Sequence, residues 1–127
     1  MFNRLGLEVL PPDGRYAVAR LRLLVDGEDL VAELLGPGGR GPFAAWALPP
    51  GRPGPLAATV VGGRVELGEP ECTGGCCGHL SVHVRRSGAV VEWTAWRGPF
   101  TRPPPELHFD AGQYDAELAR AARTAGQ

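Results

Sequence analysis

The spacing of hydrophobic positions changes period several times along the chain, and each change marks an element. Leu5, Leu7 and Val9 alternate with Arg4, Gly6 and Glu8, the two-residue period of a half-buried strand. After the turn-forming Pro11-Pro12-Asp13-Gly14, a second alternation covers residues 15–25. It sets Ala17, Ala19, Leu21, Leu23 and Val25 on one face and Arg20 and Arg22 on the other. The two segments are expected to pair as an antiparallel hairpin. Asp29 then stands as an N-cap before Leu30-Val31-Ala32-Glu33-Leu34-Leu35, with Gly36 and Pro37 as stop signals. This predicts a short helix near residues 29–35, against the competing reading of a strand returning from a turn at Asp26-Gly27.

Residues 36–56 carry most of the proline and glycine and read as a loop. Phe43, Trp46 and Leu48 lie within it, and its aromatics either plug the edge of the core or form an exposed patch, the plug being expected. Further on, Gly62-Gly63 separates two apolar alternations and predicts a tight hairpin pairing Val60 with Val65, Ala58 with Leu67 and Thr59 with Glu66. A second hairpin is predicted around Ser87-Gly88, from residues 79–86 and 89–96. Its core face pairs Val84 with Val91, Val82 with Trp93 and Leu80 with Ala95. Its polar face pairs Arg85 with Val90, His83 with Glu92, Ser81 with Thr94 and His79 with Trp96. Leu107-His108-Phe109 forms a last short strand, and Asp110 opens a helix. Gln113 completes a capping box there and Phe109 staples onto Tyr114. The helix stripe is Ala111, Tyr114, Leu118, Ala121, Ala122 and Ala125, ended by Gly126.

These elements predict an α+β fold over residues 1–127 as a single domain. It is expected to be a single antiparallel β-sheet of about six or seven strands, with the C-terminal helix packed on one face. Composition agrees, since 127 residues suffice for one core and 19 Gly with 13 Pro favour turns over long helices. The net charge is −1, and all basic residues are arginines scattered along the chain. That argues against the basic stripe of a nucleic-acid-binding surface. No apolar run approaches a membrane span and the N-terminus lacks signal-peptide character, so a cytoplasmic location with no membrane partner is expected.

The candidate chemistry is concentrated in Cys72-Thr73-Gly74-Gly75-Cys76-Cys77-Gly78-His79, which contains every cysteine of the chain. Cys72, Cys76, Cys77 and His79 would supply four ligands of the types that a structural zinc site accepts. They lie within eight residues, however, whereas such sites usually draw on two separated pairs. A tight glycine loop with small thiols is therefore preferred, and no cofactor is expected. His83 is about 13 Å along the strand from His79, too far to share a metal. A redox pair of Cys72 with Cys76 or Cys77 lacks the Cys-x-x-Cys spacing at a helix start, although Arg85, Arg86 and Arg97 could supply positive charge. His83, Glu92 and Ser81 on a flat strand face lack a cleft and an oxyanion hole, so no enzymatic activity is expected. The polar face of the second hairpin, with His79, His83, Arg85, Glu92 and Trp96, is the expected interaction surface.

Over residues 67–93 and 109–120 the chain resembles a group of small bacterial proteins of uncharacterised function. They share a Cys/Gly loop after a strand, a following hairpin and a helix start like Phe109-Asp110-Ala111-Gly112-Gln113-Tyr114. In that pattern the loop reads Cys-Gly-x-x-Gly-Cys. Cys72 and Cys77 map onto its cysteines, with Thr73 and Cys76 replacing its glycines. The resemblance bears on fold and brings no activity with it. The functional expectation is a non-enzymatic protein-interaction or regulatory module, of accessory or immunity type, acting on a protein partner as a monomer or homodimer. A small zinc-binding protein and a thiol-redox protein are the rival classes.

Overall fold

The computed structural model describes residues 1–13, 17–71, 78–100 and 102–126. Among them the fold is α+β, but its strands form two antiparallel sheets rather than one. The first sheet runs β1 (Leu5–Leu10), β2 (Arg20–Val25), β3 (Glu28–Asp29). The second runs β4 (Gly63–Gly68), β5 (Leu80–Ser87), β6 (Val90–Arg97), β7 (Leu107–Asp110). Helices α1 (Leu30–Leu35), α2 (Ala44–Ala47) and α3 (Ala111–Ala125) complete it. Isolated bridges link the sheets: Asn3 joins Phe109, Arg20 joins Phe43 and Arg40 joins Glu69. They carry the strand circuit from β7 to β1 and from β2, through residues 40–43, to the end of β4.

The first hairpin forms as its alternation demands, with Leu7 opposite Leu23 and with Leu5, Leu7, Leu21, Leu23 and Val25 buried. Arg22 points outward to Glu8 at 3.5 Å and Asp29 at 3.4 Å. Pairing stops at Leu10–Arg20, so β2 begins later than the pattern suggested. Pro11 and Pro12 lack the N–H groups that would continue the ladder. Ala19 and Leu21 instead bond to the loop, through Ala44 N–H to Ala19 O and Leu21 N–H to Pro42 O. Both readings of residues 26–35 contribute, because Glu28 and Asp29 pair with β2 and the chain then turns into α1. Asp29 Oδ1 accepts from Ala32 N–H at 3.0 Å, the expected cap.

The hairpin predicted around Gly62-Gly63 is absent from the described structure. Gly63 already belongs to β4, which pairs with β5, while residues 57–61 cap the end of β5. Their carbonyls are satisfied there, Thr59 O by Arg86 N–H, Val60 O by Arg85 Nε and Ala58 O by Arg86 Nε. Gly62 sits at φ 81°, and a Cβ on it would lie 2.6 Å from His83 Cε1. The glycine thus serves a close approach to His83.

In the second hairpin the turn is displaced by one residue, to Gly88-Ala89, and the cross-strand partners of residues 83–86 shift by two. Val84 faces Trp93, Arg85 faces Glu92 and His83 faces Thr94. A two-residue shift preserves which face each side chain occupies, so Leu80, Val82, Val84, Val91 and Trp93 of the expected core stripe are buried, whereas Ala95, expected beside Leu80, is exposed. The predicted His83–Glu92 pair is not formed. A bulge follows at the far end of β6, where Ser81 faces Arg97 and Ala95 adopts φ 54°.

The start of α3 follows the sequence signals in part. Asp110 Oδ2 accepts from Gln113 N–H at 3.0 Å, and the Phe109 and Tyr114 rings pack at 5.4 Å. Gln113 does not return to the cap. Its side chain accepts from Leu5 N–H at 3.0 Å and donates to Leu5 O at 2.7 Å. One turn on, Glu117 Oε2 accepts from Leu7 N–H at 2.7 Å, and Arg120 donates to Leu7 O. Four residues of helix advance about 6 Å and two residues of strand about 6.8 Å, so the two ladders stay in step. Side chains of α3 thereby occupy the edge of β1 that a neighbouring strand would otherwise take, which is why the sheets separate beyond Asn3. Over this frame Trp93, Phe109 and Tyr114 form the buried aromatic centre.

Candidate functional site

Of the residues singled out as metal ligands, Cys72, Cys76 and Cys77 lie outside the described residues. His79 is described; it is exposed, and its Nε2 is 3.4 Å from Glu69 Oε2. Glu69 Oε1 also holds Arg40 at 3.1 Å, and Arg40 donates to Pro70 O. Arg40, Glu69 and His79 therefore form one chain of charge-assisted contacts across the β4 end of the second sheet. Among the described residues no group of three or more His, Cys, Asp or Glu side chains converges as a metal site would require.

The five residues expected to share one interaction face are dispersed. His83, Arg85 and Glu92 do lie on the outer face of the β4–β7 sheet, with Arg85 opposite Glu92 and Glu92 opposite His108. The histidine nearest Glu92 is His108, with Nε2 at 3.7 Å from Oε2. Trp96 leaves this face because the bulge at Ala95 reverses the alternation. Its ring meets Trp93 edge-on at 6.2 Å and its Nε1 donates to Pro105 O. That bond ties Trp96 to the proline run, consistent with a bracing role for Pro103-Pro104-Pro105. His79 stands apart from the outer face, beside a pocket of about 300 Å³ lined also by Arg20, Arg40, Phe43, Trp46 and Glu69.

Phe43 and Trp46 were expected to plug the core edge, and the structure reverses this. The small residues Ala44 and Ala47, with Leu48, are buried and anchor the single turn of α2, which leaves Phe43 48% and Trp46 46% exposed. Arg20 lies 4.5 Å over the Phe43 ring and donates to Gly41 O, fixing the ring from one side. The two aromatics form a ridge between the His79 pocket and an apolar groove of about 570 Å³, whose walls include Val18, Leu48, Pro50, Ala122 and Ala125. The signal was present in the sequence, because alanines at positions 44 and 47 share a helical face that can pack closely and turn the large rings outward. What concealed it was the surrounding proline and glycine, which reads as irregular loop.

Arg64 on the outer sheet face was not singled out, and Arg97 only as a possible positive charge near the thiols. Arg64 donates to Ser81 Oγ at 3.0 Å and to Ala95 O at 2.7 Å. Desolvation, and after it the charge of Arg97, hold the Arg64 guanidinium below its ordinary value; it remains cationic near neutrality. The outward place of Arg64 follows from the alternation of β4, whereas that of Arg97 depends on the bulge.

Comparison with protein-family models, with curated proteins and with solved structures finds no match to this chain. What can be stated directly is the class defined by the fold: an α+β protein of two antiparallel sheets closed by a C-terminal helix. No helix among the described residues is long and apolar enough to cross a membrane.

Proposed function

We propose that the protein is a non-enzymatic protein-interaction module, of accessory or regulatory type, whose principal contact is the Phe43–Trp46 ridge. The observation that carries this reading is the half-exposure of two large aromatics on a helical turn that is itself anchored by buried alanines. Fixed aromatic side chains lose little conformational entropy on binding, and they dominate the energetics of protein interfaces when a partner buries them. The setting supports the same reading. An apolar groove flanks the ridge on one side, and on the other lie Arg20, Arg40, Glu69 and His79, the mixture of apolar centre and polar rim common to such interfaces. The partner is expected to insert an apolar side chain into the groove and to set polar groups against the charged rim.

A photo-crosslinking residue at position 46, introduced in the native cell, tests this. It should capture one predominant protein, which then binds the purified chain. Phe43→Ala and Trp46→Ala should each weaken that binding by about tenfold or more while leaving the circular dichroism of the chain unchanged. A captured protein that binds both variants as well as the parent would refute the assignment.

A further inference from the structure

We propose that the outer face of the β4–β7 sheet is a second docking surface, and that its occupant is an extended, carboxylate-rich segment of another protein gripped by Arg64 and Arg97. The surface uses residues distinct from the Phe43–Trp46 ridge and stands whether or not that ridge binds. Its centre is a pair of cations without an ion-pair partner among the described residues. Arg64 spends its two Nη groups on the neutral acceptors Ser81 Oγ and Ala95 O, so its position is fixed without a carboxylate. Arg97 faces Ser81 across the β5–β6 ladder, which brings the second guanidinium beside the first. Among the described residues, none of Arg64, Arg85 and Arg97 forms an ion pair.

A second, independent feature lies at the same spot. Ala95 holds φ 54°, in the left-handed region that side chains other than glycine rarely adopt, and its carbonyl is the one that receives Arg64. Bulges that re-aim side chains, and residues kept in strained conformations, concentrate where a surface meets a ligand. Here the bulge sends Trp96 inward and Arg97 outward in one step.

The charges around the pair define the occupant. His83 lies on the same row as Arg64, and Arg85 lies two residues further along β5. That spacing of about 6.8 Å matches alternate side chains of an extended segment. Of the two glutamates within these strands, Glu92 is engaged by His108, and Glu66 shares the outer face with Arg64, two residues along β4, where it forms no ion pair among the described residues and leaves both guanidinium groups open to a carboxylate. A guanidinium offers a planar fork that suits a carboxylate. Nucleic acid fits less well. The chain carries a net charge of −1 and so lacks the field that concentrates a polyanion, and among the described residues no Trp, Tyr or Phe on this face offers a stacking platform.

Fluorescence anisotropy with a labelled synthetic peptide of alternating Glu and Thr, run beside a labelled oligothymidylate of equal charge, tests the proposal. The peptide should bind saturably and weaken as salt rises from about 0.02 to 0.3 M. Arg97→Gln should weaken it by about threefold and the Arg64→Gln/Arg97→Gln double variant by about tenfold. Trp46→Ala should leave it unchanged, which separates this surface from the ridge. The Arg97 side chain makes no hydrogen bond among the described residues, so its variant keeps the fold even if Arg64→Gln does not. Absence of saturable peptide binding, indifference to Arg97→Gln, equal weakening by Trp46→Ala, or tighter binding of the oligothymidylate would each overturn the proposal.

Discussion

Tyr114 shows how one polar atom is accommodated in the aromatic centre. Its hydroxyl donates to Leu56 O at 2.6 Å and accepts from Trp93 Nε1 at 3.3 Å, so a helix residue satisfies both a loop carbonyl and a sheet indole. Tyr114→Phe would keep the packing but strand two buried partners. It should cost about 1–3 kcal/mol, read from chemical denaturation. Burial also raises the phenol well above its ordinary value, against a smaller opposing effect of the Trp93 hydrogen bond. The unfolded chain therefore releases this proton first. The associated stability is complete below about pH 10 and is lost as pH rises from there towards the folded value. Denaturation midpoints measured up the alkaline limb should fall for the parent chain and fall less steeply for Tyr114→Phe.

The element that most changes the expected picture is α3, whose side chains complete the edge of β1. The Arg120 hydrogen bond, with help from Leu7 N–H and against burial, holds the Glu117 carboxyl below its ordinary value. A lowered carboxylate contributes stability that is present above the unfolded value, about pH 4.3, and is lost as pH falls through the folded one. Glu117→Gln should therefore flatten the acid limb of the stability curve. Glu117→Ala, which also strands Leu7 N–H, should cost about 1–2 kcal/mol at neutral pH. None of this edge contact was legible in the sequence, although the helix itself was. Its N-cap, staple and apolar stripe are local signals, whereas the partner of Gln113 lies 108 residues away. The same division runs through the hairpins. Alternation determined which side chains of β5 and β6 are buried, because parity survives a two-residue slip. It could not determine the partners, since Ser87-Gly88 and Gly88-Ala89 are both acceptable turns. For the candidate site, His83, Arg85 and Glu92 were legible as outward positions from that parity alone, while Trp96 was misplaced by a bulge that no local residue announces.

At the scale of the whole molecule, the seven strands of the described residues divide into two sheets because a helix, rather than a strand, lies beside β1. Removing α3 by ending the chain after Asp110 should therefore do more than delete one layer. It uncovers the β1 edge and takes Tyr114 out of the aromatic centre, so the shortened chain should lose cooperative unfolding, bind a hydrophobic dye and associate in size-exclusion chromatography. A monomeric, cooperatively folding fragment would show that the edge contacts are dispensable. The arrangement also has a consequence in time. β1 leaves the ribosome about a hundred residues ahead of the helix that shields it. At about 5–20 residues per second the nascent strand waits on the order of 5–20 s for its cover. During that interval the uncovered edge of β1 is open to pairing with other chains, an exposure that ends when the helix docks.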